Sequence, residues 1–263
     1  MNLDLTGKNA LVCGGSKGIG NAIATELALL GANVTICSRS EDSLVFAIKN
    51  LDNSKGNKHT YFTADFSNPT ALKNALNSFL AESKKEFNIL VNNTGGPAGG
   101  PIVNAKIEEF TNAFNNHLIC NHILVQTLLP SLKANGYGRI VNIISTSVKV
   151  PLNGLGVSNT IRGAVASWGK TLANELGQFG ITVNNVLPGA TNTGRLSSII
   201  ENKAKKTDKT IEEVSKAMKS IIPLARFGVP NEIANMVAFL CSPAGAYVSG
   251  QSIAVDGGRT PSF

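Results

Sequence analysis

Residues 13–20 read Cys-Gly-Gly-Ser-Lys-Gly-Ile-Gly. The apolar run Ala10-Leu11-Val12-Cys13 leads into them, and a helical pattern of Ile19, Ala22, Ile23, Leu27 and Leu30 follows. Strand, glycine turn and helix in that order build an anion site. Backbone N–H groups at the helix start point outward, and the helix dipole favours negative charge there. Gly14, Gly18 and Gly20 permit the turn and allow a phosphate to approach the backbone. Their spacing differs from the common G-x-G-x-x-G, so the flanking strand and helix carry the assignment. The segment predicts a dinucleotide pyrophosphate held by Gly14, Ser16, Lys17, Gly18, Ile19 and Gly20.

The same alternation continues along the chain. Patterning predicts strands at 8–13, 33–38, 58–63, 88–92, 138–144, 181–187 and 251–255. It predicts helices at 18–30, 41–52, 69–84, 107–133 (with a break), 155–178 and 230–241. Seven strands separated by helices imply an α/β fold, a Rossmann-like doubly wound sheet of about seven parallel strands with helices on both faces. No linker, repeat or low-complexity tract divides the 263 residues, so residues 1–263 read as a single dinucleotide-binding domain. In such sheets ligands bind at the carboxyl ends of the strands, where strand order reverses.

The net charge is +7, but no basic stretch interleaved with aromatics suggests a nucleic-acid partner. Charge is concentrated in residues 194–226, which hold eight Lys/Arg and four Asp/Glu. This segment is either a solvated helical face or a docking surface for an anionic substrate or carrier. No apolar run reaches the roughly 18 residues of a membrane helix. Met1-Asn2-Leu3-Asp4-Leu5 lacks the basic start and apolar core of a signal peptide. Cys13, Cys37, Cys120 and Cys241 are widely spaced, as expected of buried thiols in a reducing cytoplasm, not of a disulfide framework or metal site.

The predicted strand ends carry the remaining chemistry. The second strand ends in Ser38-Arg39, where an NAD site usually has an acid for the ribose hydroxyls. An acid repels a 2′-phosphate and an arginine forks onto it, so Ser38, Arg39 and Lys17 favour NADP(H). Asp65, next to Phe66, is placed to accept the adenine amino group. Asn92 and Asn93, followed by Thr94 and Gly95, offer amides to the neighbouring strand and the ribose. Turn chemistry explains these Asn, Asp and Gly residues equally well.

From Leu5 to Gly258 the chain resembles the short-chain dehydrogenase/reductase family. The resemblance rests on the glycine turn, Asp65, Asn92-Asn93-Thr94-Gly95, Gly138 to Ser145, Asn184-Asn185-Val186-Leu187-Pro188-Gly189 and Val255-Asp256-Gly257-Gly258. It is most similar to the 3-oxoacyl-[acyl-carrier-protein] reductase branch. The resemblance implies cofactor contacts from Pro188, Gly189, Thr191 and Thr193, and a substrate lid at about 190–226. It also implies four catalytic residues: a serine that binds the substrate oxygen, a tyrosine that moves the proton, a lysine that holds the ribose, and an asparagine on the preceding helix. The serine maps to Ser145. Ser158 stands in the tyrosine position and Arg162 in the lysine position. His117, judged from Phe110, stands in the asparagine position. Tyr61, Tyr137 and Tyr247, the chain's only tyrosines, lie outside that helix.

Ser158 and Arg162 are i and i+4, so they share a helix face. A guanidinium holds the ribose and supplies fixed charge, but it lends no proton at neutral pH. A histidine near its usual pKa suits general acid–base work, and His117 is expected to titrate near pH 6–7. The expected activity is NADPH-dependent reduction of a carbonyl substrate, with a carrier- or CoA-linked 3-oxoacyl group among the candidates. The alternative is an NADP(H)-binding sensor or structural subunit without turnover. A homotetramer is expected, assembled through the long helices, where Ile119, Leu124, Leu128, Val165 and Trp168 exceed the needs of one buried face. In the lid, Leu196, Ile199, Ile200, Val214, Met218, Ile221 and Ile222 form an apolar stripe that either lines a substrate pocket or packs on itself.

Overall fold

The computed structural model describes residues 1–97 and 99–262. Seven parallel strands, β1 (Asn9–Cys13), β2 (Asn33–Ser38), β3 (Thr60–Thr63), β4 (Ile89–Asn92), β5 (Gly138–Ile143), β6 (Ile181–Pro188) and β7 (Ser252–Val255), form one sheet in the order β3-β2-β1-β4-β5-β6-β7. Order reverses between β1 and β4, which opens a crevice at their carboxyl ends. The central strands are buried on both faces, and this is why apolar residues dominate β1 and β4, while β5 and β6 also carry buried asparagines.

Helices α1 (Gly18–Leu29), α2 (Glu41–Lys49) and α9 (Pro230–Cys241) belong to one side of the sheet. Leu27, Val34, Leu44, Ile89, Val91 and Val237 share that core. On the other side lie α3 (Pro69–Ser83), α4 (Ile107–Phe114), α5 (Cys120–Ala134) and α6 (Gly156–Leu176). Leu11, Leu72, Leu90, Leu124, Ile140 and Val183 fill that second core. Caps fix several helix starts. Asn68 accepts from the Ala71 N–H at 3.0 Å, with Pro69 at the first helical position, as both residue types favour. All four cysteines are free and buried. Among the described residues no helix is long and apolar enough to cross a membrane.

The expected break in 107–133 is a π-helical turn, Asn115–Ile119, between α4 and α5. Pro130 lies inside α5 without ending it. The segment expected to form a lid consists of α7 (Gly194–Thr207) and α8 (Ile211–Ser220). Thr193 caps α7, and Thr210 and Glu213 cap α8 reciprocally. Leu196, Ile200, Ala204 and Val214 pack on one another, with Met218 and Phe227 against them. The apolar stripe therefore divides: these residues form a small core of their own, while Ile199 and Ile221 face solvent. Leu124, Leu128 and Val165, expected to be left over for assembly, are instead buried within the protomer. They lie where the helices meet the sheet, so the protomer's own cores take them.

Candidate functional site

The glycine turn after β1 is tightly built. A Cβ on Gly20 would run into the Gly14 carbonyl, and one on Gly14 would lie 2.8 Å from Asn93. Gly14 and Gly18 have φ of +59° and +56°, a region that disfavours side chains. Asn93 Nδ2 donates to the Cys13 carbonyl at 3.1 Å and thereby ties the turn to the end of β4. Ser16 is half-buried, whereas Lys17 and Arg39 are exposed. Ser38 Oγ, at the end of β2, is buried without a hydrogen-bond partner. Asp65 accepts from the Ser67 N–H at 2.9 Å. That bond, with a smaller contribution from Arg39, holds its carboxyl below the usual range.

Asn92 makes the expected amide bond to the neighbouring strand and extends it into a ladder. Asn92, Asn142 and Asn185 occupy paired positions on β4, β5 and β6, with Ser252 of β7 opposite Asn185. Asn92 Nδ2 donates to Asn142 Oδ1 at 2.8 Å, Asn142 Nδ2 to Asn185 Oδ1 at 2.9 Å, and Asn185 Nδ2 to Ser252 Oγ at 3.1 Å. This amide ladder runs through the buried sheet under Gly169 of α6, where a Cβ would come within 2.9 Å of Asn185 Oδ1. The side chain of Asn92 is thus enclosed in the sheet and not presented to a ribose. Asn93 likewise serves the glycine turn.

The opposite half of the crevice gathers Ser145, Ser158, Arg162 and His117, the residues expected at the catalytic positions. Ser145 follows β5, and its Oγ accepts from the Ser147 N–H at 3.1 Å. The loop ahead of α6 is held by Gly100, whose N–H donates to the Gly154 carbonyl at 2.7 Å and whose carbonyl accepts from the Gly156 N–H at 3.2 Å. This contact sets the start of α6 and so positions Ser158, which is half-buried. One turn on, Arg162 is buried, and its Nη1 donates to the Ile143 carbonyl at 3.0 Å. Its Nε is buried without a partner. Burial and the Arg195 charge lower its pKa to about 10, so it stays protonated at neutral pH.

His117 sits on the π turn, 2 % exposed. Its Nδ1 and Thr94 Oγ1 share a hydrogen bond of 2.5 Å. Burial first, then the Arg162 and Arg195 charges, push its pKa down to about 3. The titration expected near pH 6–7 is therefore displaced, because the imidazolium would be desolvated beside two guanidiniums. His122 is elsewhere, edge-on to Trp168. A cavity of about 190 Å³ opens beside His117, lined also by Gly95, Gly96, Pro97, Asn112 and Asn116. Ala98, in the same loop, lies outside the described residues. None of the tyrosines lies on α6: Tyr137 donates to the Cys241 carbonyl, Tyr61 to Glu41, and Tyr247 is fully exposed.

At the end of β6, Gly189 packs so closely on Asp256 that a Cβ would lie 2.6 Å away. Thr191 Oγ1 donates back to the Gly189 carbonyl at 3.1 Å. Thr193 approaches the glycine turn: a Cβ on Gly18 would meet its Cγ2 at 3.4 Å. Arg195 was not anticipated in the sequence as part of the site. Its Nη2 donates to the Pro97 carbonyl at 2.9 Å and so links the lid to the cavity wall.

Comparison with known proteins agrees with this geometry. The family model described as enoyl-(acyl carrier protein) reductase matches residues 14–260. A tropinone reductase homolog of Arabidopsis thaliana is 36% identical over 97% of this chain and 91% of its own. The L-sorbose reductase of Gluconobacter frateurii, solved with NADPH and L-sorbose, is 28% identical and superimposes with a TM-score of 0.93 over 100% of both chains. A variant of actinorhodin polyketide ketoreductase solved with NADPH is 30% identical, with a TM-score of 0.89 over 97% of this chain and 98% of that one.

Proposed function

The chain belongs to the short-chain dehydrogenase/reductase family, and from that premise we propose that it is an NADPH-dependent reductase of a small carbonyl substrate, working without the family's phenol. It is an oxidoreductase of the NADP(H) type, as its solved relatives with NADPH support. Its own residues fit that group. Gly14, Gly18 and Gly20 leave a cradle that any side chain would fill, the unpartnered Ser38 Oγ waits at the end of β2, and Arg39 stands where an acid would repel a 2′-phosphate.

One observation carries the reading. Ser145, Ser158, Arg162 and the Thr94–His117 pair occupy the same end of the crevice, on the loops and helices that follow β4 and β5. Bound NADPH supplies the hydride. Ser145, oriented by the Ser147 N–H, polarises the substrate oxygen. Arg162 remains cationic and stabilises negative charge that develops there. His117 is neutral at working pH, so it acts as a relay and not as a store of protons. Water passing through Ser158 completes proton delivery. The loss of a general acid costs roughly 10²–10⁴-fold, which leaves room for turnover.

A second reading, cofactor binding without turnover, is favoured by one fact: His117 near 3 and Arg162 near 10 lie well away from neutrality. Steady-state NADPH oxidation across a carbonyl panel separates the two. Turnover on any member supports the reductase, whereas tight NADPH binding with no turnover on all of them overturns it. Ser158→Tyr with Arg162→Lys restores the family pair. A large gain in reduction is expected from it if proton supply limits the native site.

A further inference from the structure

Two guanidiniums converge on the substrate end of the crevice without an acid to match them. Arg195 leaves the first turn of α7 and lies against Gly96, where a Cβ would be 2.9 Å from its Nη2. The same nitrogen is anchored on the Pro97 carbonyl. Gly96 and Pro97 are wall residues of the cavity that His117 also lines. Arg162 stands behind, on α6, close enough for both cations to depress His117. Among the described residues the ion pairs are Lys55–Asp4 and Arg226–Glu232, so neither Arg162 nor Arg195 has a carboxylate within ion-pair reach. The one acid on the cavity wall, Glu109, accepts from the Lys106 N–H at 2.8 Å at the start of α4.

Arg162 is a buried charge without a counter-ion, which is unfavourable, and Arg195 beside it is exposed and so open to an incoming anion. A ligand that brings the anion removes that penalty. The guanidinium is a planar fork suited to a carboxylate, and Pro97 fixes one of its nitrogens while the absence of a side chain at Gly96 lets it lie along the wall. We propose that the substrate bears a carboxylate, and that Arg195 takes it at the lip of the cavity while the reacting carbonyl lies toward Ser145. The proposal rests on the reading of this site as a carbonyl-reducing one. The cofactor's pyrophosphate is the other anion within range, because Thr193 touches the glycine turn two residues before Arg195.

The test is titration calorimetry of the NADPH complex with benzoylformate and with its methyl ester, in which a neutral methoxy group replaces the anionic oxygen. The acid is expected to bind at least about tenfold more tightly, the scale of one charge-assisted hydrogen bond. Arg195→Met should abolish that preference while the Kd for NADPH stays within about twofold. Arg195→Lys, which keeps the charge but loses the fork, should retain part of it. Equal binding of acid and ester overturns the proposal, as does no detectable binding of benzoylformate at millimolar concentration. A large loss of NADPH affinity in Arg195→Met also overturns it and assigns the guanidinium to the pyrophosphate. NADPH oxidation with the same probes reads the underlying function separately. Preferential binding of the acid without oxidation supports the carboxylate site and counts against the reductase. Oxidation by the ester with equal binding does the reverse.

Discussion

Replacing His117 by asparagine should change how the protein's stability depends on pH. In the fold the imidazole pKa is about 3, against 6.5 when exposed. The unfolded chain therefore binds a proton below pH 6.5 that the native protein refuses until about pH 3. Unfolded chains then hold more protons, so stability is complete above pH 6.5 and falls as pH drops through this window. The slope approaches about 1.4 kcal/mol per pH unit. Between pH 7.5 and 5.0 the loss integrates to roughly 2 kcal/mol. His59 is also depressed, chiefly by burial, but it is common to both proteins and cancels in their difference. The assay is urea unfolding of wild type and His117→Asn at the two pH values and one protein concentration. The variant should lose roughly 2 kcal/mol less than wild type on acidification. Pairs of curves that shift in parallel to within about 0.5 kcal/mol would refute the buried neutral histidine. The same argument predicts no inflection from His117 between pH 5.5 and 8 in kcat/KM.

Other expectations follow from single features. NADPH should bind at least about tenfold more tightly than NADH, and Arg39→Asp should shrink that preference; equal affinities by calorimetry would contradict the role of Ser38-Arg39. Asn142→Leu leaves Asn92 Nδ2 and Asn185 Oδ1 buried without partners, and should cost about 2–5 kcal/mol in urea unfolding; a cost below about 1 kcal/mol would mean that water or a rotated amide replaces the bonds. Ile102, Val103 and Ile107 are 51%, 87% and 75% exposed beside the partly exposed Phe114, an apolar surface that assembly would cover. Light scattering should report a homotetramer, and a 27.5 kDa species at micromolar concentration would exclude it.

The sheet was legible because a parallel strand must be apolar on both faces, and such runs are visible without knowledge of their neighbours. Strand limits fell within a few residues of 9–13, 33–38 and 181–188 for that reason. The two lid helices were read only as an apolar stripe. Their caps, Thr193 and Thr210 with Glu213, are in the sequence, and they were the available signal for helix starts. Arg195 was not legible as a site residue, because its reach to Pro97 spans nearly a hundred positions and depends on how α7 leaves the sheet. Arg195 is exposed like most of the lysines of that segment, and what sets it apart is its bond to Pro97 on the cavity wall. The helix break was expected between 107 and 133, where Pro130 is the visible breaker. The actual break at 115–119 has no such residue, and it turns His117 inward toward Thr94.

The enclosure of Asn92 and the depressed His117 share a physical cause. Sequence reveals which groups are polar and titratable, but their behaviour depends on what is buried with them. Asn92 looks like a ligand residue at a strand end until Asn142 and Asn185 are seen on the same rung, where the three amides are linked Nδ2 to Oδ1 and Asn92 Oδ1 alone is left without a partner. His117 looks like a proton donor until Arg162 and Arg195 are placed beside it. In the family's usual arrangement a lysine lowers the pKa of a phenol, so that one cation both holds the ribose and makes a proton available. Under the proposed assignment the cation is Arg162, joined by Arg195, while the group beside it is the Ser158 hydroxyl, which is far too weak an acid at any working pH. A second positive charge cannot make Ser158 a useful acid, and beside His117 it makes protonation harder. What a pair of guanidiniums does well is bind and stabilise negative charge. On the proposed reading, His117, Ser158 and Arg162 together favour anion stabilisation over proton donation, with the proton left to water.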